Sequence, residues 1–102
     1  MKPPIKSYQE ILDEDRRLVI LRFLAEGGYS LNTSVLHSAL ESFGHRVSRD
    51  RVKGDAAWLA EQGLVTLDDV GPVTVLTVKE RGLDVAAGRI VAPGVKRPGP
   101  GM

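Results

Sequence analysis

One stretch, from Ser48 to Val65, constrains the fold of this chain more than any other. Ser48 is a good N-cap, because its hydroxyl can accept a hydrogen bond from a free amide of the first helical turn. Apolar residues then recur at the spacing of one helix face, at Val52, Ala56 and Leu59. Gly63 supplies a left-handed position that ends a helix, and the apolar and β-branched run from Leu64 is typical of a strand. The sequence therefore predicts a helix, from Arg49 to Gln62, that passes directly into a β-strand.

Length and composition restrict the class of protein. The 102 residues make one small domain, and the absence of cysteine excludes a disulfide framework or a cysteine-based zinc or redox site. No apolar run approaches the roughly 18 residues that span a bilayer, and the first ten residues lack the apolar segment of a signal peptide. We therefore expect a cytoplasmic protein with no membrane partner. The net charge is only +1, so an argument for nucleic-acid binding must come from local clustering of charge.

Two further helices are predicted before this stretch. Ser7 begins a capping-box pattern, so the first helix should run from Tyr8 to about Glu26. Asn32 follows a short extended link and caps a second helix, from Thr33 to Phe43. Residues 45–47 then leave only the short connection of a helix-turn-helix before the third helix.

A β-hairpin and a last helix are predicted after it. The β-rich segments Thr66–Leu67 and Val73–Thr77 flank a turn-rich tip, Asp68–Pro72. Thr77 begins a second capping-box pattern, which predicts a helix from Val78 to Ala87. Gly82 lies near the middle of that helix and should weaken it by about 1 kcal/mol relative to alanine.

The order of elements is helix, helix, helix, strand, strand, helix, which predicts a mostly α fold with a small β-hairpin: a winged helix-turn-helix. We expect a flexible N-terminus at residues 1–6 and a folded domain at residues 7–88. From Arg89 onward the chain is rich in Pro and Gly, so residues 89–102 are predicted to be a disordered tail that buries too little apolar surface to order itself.

Two strings carry a resemblance to known proteins. Val47–Val52 (VSRDRV) and Trp58–Val65 (WLAEQGLV) resemble winged-helix transcription regulators of the ArsR-like and MarR-like kind, over about Asp15 to Gly88. The whole chain, including DEDRRLVILRFLAE and VAPGVKRPGPG, is similar to small winged-helix proteins encoded by Mu-like bacteriophages and prophages. The resemblance implies a phage or prophage origin, a bacterial host and a role with nucleic acid. Metal-sensing ArsR-like proteins use cysteines on the DNA-reading helix, so metal sensing does not carry over, and we expect no metal or cofactor.

Basic residues cluster at the start of the third helix, where a major-groove reader needs hydrogen-bond donors. Arg46, Arg49, Arg51 and Lys53 stand against Asp50 and Asp55. The predicted DNA-contacting residues are Arg46, Ser48, Arg49, Arg51, Lys53 and Gly54. Arg51 and Lys53 are the better candidates for base edges, and the others for phosphates. Gly54 allows close approach of a DNA backbone, although a tolerated surface glycine explains it equally well. In the alternative, these charges simply solvate a surface helix.

The first helix carries a second apolar stripe that a small domain does not easily bury. Its residues, which we take as candidates for a homodimer interface, are Tyr8, Leu12, Val19 and Phe23. The alternative is that later segments of the chain cover both sides of this helix.

Trp58 is expected to pack in the core against the hairpin or the first helix. Asp13, Glu14 and Asp15 are expected to form solvated ion pairs with the arginines that follow them.

Two functions from different classes remain open. One is a DNA-binding winged-helix protein, a phage or prophage transcriptional regulator or DNA-associated accessory factor, with double-stranded DNA as partner. The other is a protein–protein interaction module of phage assembly or packaging, which the acidic residues Asp68 and Asp69 at the hairpin favour because carboxylates repel phosphate. Catalysis has no support, since no nucleophile–base order or phosphate-binding glycine loop is present and the His37–Glu41 pair does not make a metal site.

Overall fold

Three helices form the body of the domain, and each begins at the N-cap that its sequence predicts. A computed structural model of the protein describes residues 5–99, with α1 at Tyr8–Glu26, α2 at Thr33–Ser42 and α3 at Arg49–Glu61. The side chains of Ser7, Asn32 and Ser48 each accept a hydrogen bond from an amide of the first turn. The left-handed Gly63 follows α3, with a φ of 74°. The helices are confirmed, although α2 and α3 each end one residue earlier than predicted.

The sheet has three strands, where the sequence predicted two. It consists of β1 at Ser30–Asn32, β2 at Val65–Val70 and β3 at Val73–Val78, antiparallel and in the order β1-β3-β2. The link before α2 is β1: Leu31 pairs with Leu76, and the hydroxyls of Ser30 and Thr77 lie 2.8 Å apart. Three residues are too few for a strand period to appear in the sequence, so only the contact with β3 reveals this strand.

The hairpin, which forms the wing, is longer and tighter than predicted. Asp68 and Asp69 lie within β2, where they pair with Val75 and Thr74, and the Asp69 carboxylate accepts a hydrogen bond from the Thr74 hydroxyl at 2.7 Å. The turn is confined to two residues, Gly71 and Pro72, since Val70 pairs with Val73. The predicted five-residue tip is therefore wrong: the two carboxylates stand on a strand and not in a loop.

The last helix, α4, spans Glu80–Ala86 and begins later than predicted. Its N-cap is Lys79, whose side chain makes no capping hydrogen bond, so the capping box predicted at Thr77 is wrong. The reason is competition from the sheet. Thr77 pairs with Ser30, and the Val78 amide donates to the Tyr29 carbonyl oxygen at 2.8 Å, which keeps both residues extended.

One core lies between α1, α2, α3 and the inner side of the sheet. Its fully buried side chains come from the three helices and from the sheet region: Leu18, Ile20, Leu21 and Leu24 of α1, Leu36 and Leu40 of α2, Val52 and Leu59 of α3, and Leu64 and Leu76 in and beside the sheet. The inner face predicted for the third helix is thus confirmed. No helix within residues 5–99 is long and apolar enough to cross a membrane.

The C-terminal segment, residues 89–99, folds back on the domain, which corrects the predicted disordered tail over this range. Ala92 and Val95 are buried and belong to the core. The Lys96 amide donates to the Glu14 carbonyl oxygen at 3.1 Å, and Gly94 packs against the ring of Trp58. A few small apolar residues and fixed hydrogen bonds thus order a segment whose composition alone predicts disorder. The predictions for residues 1–4 and 100–102 concern positions outside the described residues.

Two helical glycines should respond to alanine in opposite directions. A Cβ at Gly82 would fall against the Leu64 carbonyl oxygen, whereas a Cβ at Gly54 meets nothing within 4 Å. We expect Gly82→Ala to lower the free energy of unfolding by about 1–3 kcal/mol through overpacking. Gly54→Ala, the matched control, should raise it by about 1 kcal/mol through helix propensity. Urea unfolding followed by circular dichroism measures both changes, and equal changes of one sign would contradict the packing argument.

Candidate nucleic-acid interface

Helix α3 presents three kinds of surface. Val52, Ala56 and Leu59 point inward and are buried. On the opposite side an exposed ridge runs along the helix, formed by Asp50, Gly54, Ala57 and Glu61. Between ridge and core, at 100° per residue, Arg49 and Lys53 fall on one flank and Arg51 on the other. The inner face that the sequence predicts is confirmed, and Lys53 and Arg51 lie on either side of the exposed ridge.

The flank that faces α1 borders a hollow of about 450 Å³. Its walls include Tyr8 and Gln9 at the start of α1, and Arg46, Ser48 and Arg51 at the start of α3. Arg46 is exposed, and the Arg51 guanidinium is about half exposed at 3.7 Å from the Asp13 carboxylate. Two cations, a helix N-terminus and neutral donors thus converge on one open surface.

The other flank faces α2 and the wing. Arg49 and Lys53 line a small hollow together with Thr33, Ser34 and Pro72, so the start of α2 and the hairpin turn lie beside them. Among residues 5–99, the side chains of Arg46, Arg49 and Lys53 form no ion pair with any other residue of that range. These three predicted residues therefore reach solvent as uncompensated charges.

Asp55, which the sequence counts against this basic cluster, does not lie on the surface. It is 3% exposed and forms an ion pair with Arg16 of α1, which is itself 1% exposed. Both the Nε and Nη2 groups of Arg16 donate to its carboxylate, the second at 3.1 Å. Asp50 is thus the one carboxylate of the first two turns of α3 that faces solvent. The signal for burial was present, because Asp55 lies three residues after Val52 and four before Leu59, on the inner side of the helix.

The buried pair is completed by Asp13, which accepts from Arg16 Nη2 at 2.7 Å. Burial by itself lowers the pKa of Arg16, but its hydrogen bonds and charge interactions with Asp55 and Asp13 outweigh this, and the pKa of Arg16 is raised. Burial by itself raises the pKa of Asp13, yet hydrogen bonds from Arg16 and Gln9 lower it below its ordinary value. The predicted solvated ion pair is therefore wrong for Arg16, whose charge is held inside the domain.

A second cluster fixes the turn before α3. His45 is buried, and its Nε2 donates to the Asp15 carboxylate at 2.7 Å. The ammonium group of Lys96 reaches the same carboxylate at 3.3 Å. Burial by itself raises the pKa of Asp15. The hydrogen bonds from His45 and Lys96, together with the charges of these residues, have the larger effect, so the pKa of Asp15 lies below its ordinary value. His37 is half-buried and donates to the Val47 carbonyl oxygen at 2.8 Å.

Trp58 packs between α1 and the C-terminal segment. The Arg17 guanidinium stacks on its ring at 4.1 Å from the centroid and also donates to the Gly94 carbonyl oxygen at 3.0 Å. The predicted packing against the first helix is confirmed. The cation–π contact covers one face of the Trp58 ring.

The four residues proposed for a dimer interface do not share one environment. Tyr8 is 77% exposed and Leu12 is half-buried. Val19 and Phe23 pack against the core, and the Phe43 ring meets Phe23 edge-on at 4.9 Å between centroids. Phe43, the C-cap of α2, therefore covers part of Phe23. Residues 5–99 contain no group of three or more potential metal ligands.

The architecture defines the class of protein. Two helices joined by a short turn, a supporting helix and a β-hairpin after the third helix make a winged helix-turn-helix domain. The fold is similar to "F93 from STIV, a winged-helix DNA-binding protein", with a TM-score of 0.59 and 21% sequence identity over 69% of this chain and 77% of that one.

Comparison with known sequences then gives the family. No family model matches the chain. It is 52% identical over 91 residues to "Uncharacterized protein gp26" of Escherichia phage Mu, covering 89% of this chain and 95% of the phage protein. It is also 45% identical over 62 residues to an uncharacterized protein of Haemophilus influenzae, covering 61% of each. The chain belongs to the family of the phage Mu protein gp26, as its resemblance to Mu-like phage proteins predicted. The likeness to ArsR-like and MarR-like regulators stays a prediction.

Removing the buried carboxylate of Asp55 should strongly destabilise the domain. Asp55→Ala leaves the Arg16 guanidinium inside the domain without its main partner, and we expect a loss of about 3–5 kcal/mol in the free energy of unfolding. Glu61→Ala removes an exposed carboxylate from the same helix and should change it by no more than about 0.5 kcal/mol. Chemical denaturation measures both. If Asp55→Ala is as mild as its control, α3 is not held by this ion pair.

Acid should weaken the fold through Asp15. Its folded-state pKa is lowered, so the stability it contributes is present above the ordinary aspartate pKa of about 3.9 and is lost as pH falls through the lower folded value. Asp15→Asn should therefore have lower stability than wild type at neutral pH and a shallower decline in acid. Unfolding free energies measured from pH 6 to pH 2 test this. Parallel curves for the two proteins would show that Asp15 is not responsible.

Proposed function

We propose that this protein binds duplex DNA, with the start of α3 in the major groove. The observation that carries the proposal is the exposed cationic surface at this point: Arg46, Arg49 and Lys53 lack an ion-pair partner within residues 5–99. Asp55, which would oppose them, is neutralised inside the domain by Arg16. The structural neighbour F93 is a winged-helix DNA-binding protein, which supports the same proposal.

Each predicted residue has a role in this proposal. Ser48 caps α3 by accepting from the Arg51 amide at 3.1 Å, and a helix N-terminus favours a phosphate through its amides and its dipole. Arg46 and Arg51 would contact one phosphate strand and Arg49 and Lys53 the other, since the two pairs lie on opposite flanks. Gly54, which meets nothing within 4 Å, leaves room for the groove to approach the helix.

The biological role that fits is a non-enzymatic one in the cytoplasm of a bacterial host, as a phage or prophage transcriptional regulator or an accessory factor on DNA. A homodimer would set two α3 helices in successive major grooves, about 34 Å apart. Of the apolar stripe on α1, Val19 and Phe23 pack on the core. Tyr8 and Leu12 line the hollow of Arg46 and Arg51, so a dimer contact through them would share that flank of α3.

A second function, protein recognition in phage assembly or packaging, is favoured by the wing. β2 is an edge strand, and it exposes Leu67 (39%) and Val70 (52%) beside the carboxylates of Asp68 and Asp69. Edge strands with exposed apolar side chains can pair with a partner strand. Leu67 and Asp69 line a hollow with Lys53, so this surface borders one flank of α3. It does not border the hollow of Arg46 and Arg51, so changes at those two residues distinguish the two functions.

The test is binding to a random-sequence duplex at low and at physiological salt. The triple variant Arg49→Ala, Arg51→Ala, Lys53→Ala should lower affinity at least about 100-fold and reduce the slope of log K against log salt by about 3. The matched control removes three exposed cations outside α3 (Lys79→Ala, Arg81→Ala, Arg97→Ala), with the same change in net charge.

Fluorescence anisotropy with a labelled duplex measures both effects. A control variant that loses as much affinity as the α3 variant would show that only overall charge matters. Absence of binding by the wild type at low salt would leave protein recognition through the wing as the function.

A further inference from the structure

The exposed ridge of α3 carries side chains that are poorly suited to reading bases. Sequence is read in the major groove mainly by Arg or Lys on guanine and by Asn or Gln on adenine. The ridge instead consists of two carboxylates, a glycine and an alanine: Asp50, Glu61, Gly54 and Ala57. A carboxylate can accept a hydrogen bond from the cytosine amino group, but in the major groove it is also repelled by the phosphates of both strands. The part of the helix that would face the groove floor therefore supplies no donor.

The cations lie to either side of this ridge. Arg49 and Lys53 border the hollow shared with α2 and the hairpin turn, and Arg46 and Arg51 border the hollow shared with α1. A helix with its side chains is about 10–12 Å across, which matches the width of the major groove at about 12 Å. Side chains on its flanks thus meet the phosphate walls. Phosphate contacts fix the position and orientation of a protein on DNA but carry no sequence information.

The wing does not supply base-reading side chains either. Residues 65–78, which form β2, the turn and β3, contain no Lys or Arg. A wing reads the minor groove by inserting such a side chain, and the carboxylates of Asp68 and Asp69 oppose entry there. Asp69 also lines a hollow with Lys53, so the negative charge lies beside the flank that contacts phosphate. Both usual sources of base readout are therefore missing from the described surface.

Resting on the proposed function, we propose that the partner is duplex DNA of any sequence, held by cations on the two flanks of α3 that grip the phosphate walls of the major groove while a donor-free ridge faces the bases. Specific DNA-binding proteins prefer their site over other DNA by factors of about 10³–10⁷. Here affinities for unrelated duplexes of equal length should fall within about tenfold of one another, because the contacts that supply affinity are the same on each sequence.

The experiment is selection from a library of duplexes with a randomised 20-base-pair centre, followed by measurement of individual affinities. The full chain is incubated with the library at low salt, bound duplexes are amplified and sequenced, and the most and least enriched ones are titrated separately. The expected result is no enriched motif and a spread of affinities within about tenfold.

Matched single variants sharpen the test. Arg49→Ala and Arg51→Ala should each weaken binding by the same factor on every duplex and reduce the salt slope by about 1. Asp50→Ala and Glu61→Ala, on the ridge, remove a carboxylate without adding a donor, so they should strengthen binding equally on all duplexes and leave their ranking unchanged.

The outcomes separate the two proposals. Binding that varies more than about tenfold among duplexes, or a ranking that changes in any of these variants, overturns sequence-independent recognition and leaves DNA binding intact. Absence of binding to every duplex at low salt overturns DNA binding itself and the inference that rests on it.

Discussion

The buried ion pair between Arg16 and Asp55 fixes the arrangement on which the rest of the structure depends. Charges taken out of water are tolerated only where partners surround them, and Arg16 meets this demand with two carboxylates, Asp55 on α3 and Asp13 one turn earlier on α1. Both of its contacts to Asp55 require one orientation of the guanidinium, so the pair sets the rotation of α3 about its own axis. That rotation decides which residues form the flanks and which form the ridge.

Further contacts hold the same helix from other sides. Arg17 covers Trp58 and lies 3.6 Å from Asp55, and His45 ties the turn before α3 to Asp15. The Asp15 carboxylate also receives Lys96 from the C-terminal segment. The N-terminal half of α1 is thus the point where turn, third helix and C-terminal segment meet. These polar contacts hold α3 in place, as the proposed contacts of its flanks with two phosphate strands would require.

Local signals in the sequence were enough to predict the three main helices and the wing, because an N-cap such as Ser48 or a left-handed residue such as Gly63 acts within its own turn. They also identified the exposed cations of α3. What could not be predicted depends on residues far apart in the chain. Asp55 pairs with Arg16, 39 residues away along the chain, and Arg17 donates to Gly94, 77 residues away. Strand β1 forms only because β3 lies beside it. The same limit applies to Thr77. Its sequence fits a helix cap, but it pairs with Ser30 in the sheet and the helix begins after Lys79.

The return of residues 92–96 to α1 has a consequence for how the domain forms during synthesis. These residues leave the ribosome after every helix, yet they supply Ala92 and Val95 to the interior and Lys96 to Asp15. A nascent chain whose four helices have already emerged still lacks the cover over Trp58 and part of its apolar interior. Docking of residues 92–96 therefore follows the emergence of α4, and Trp58 of α3 gains its contact with Gly94 only after these residues have been translated.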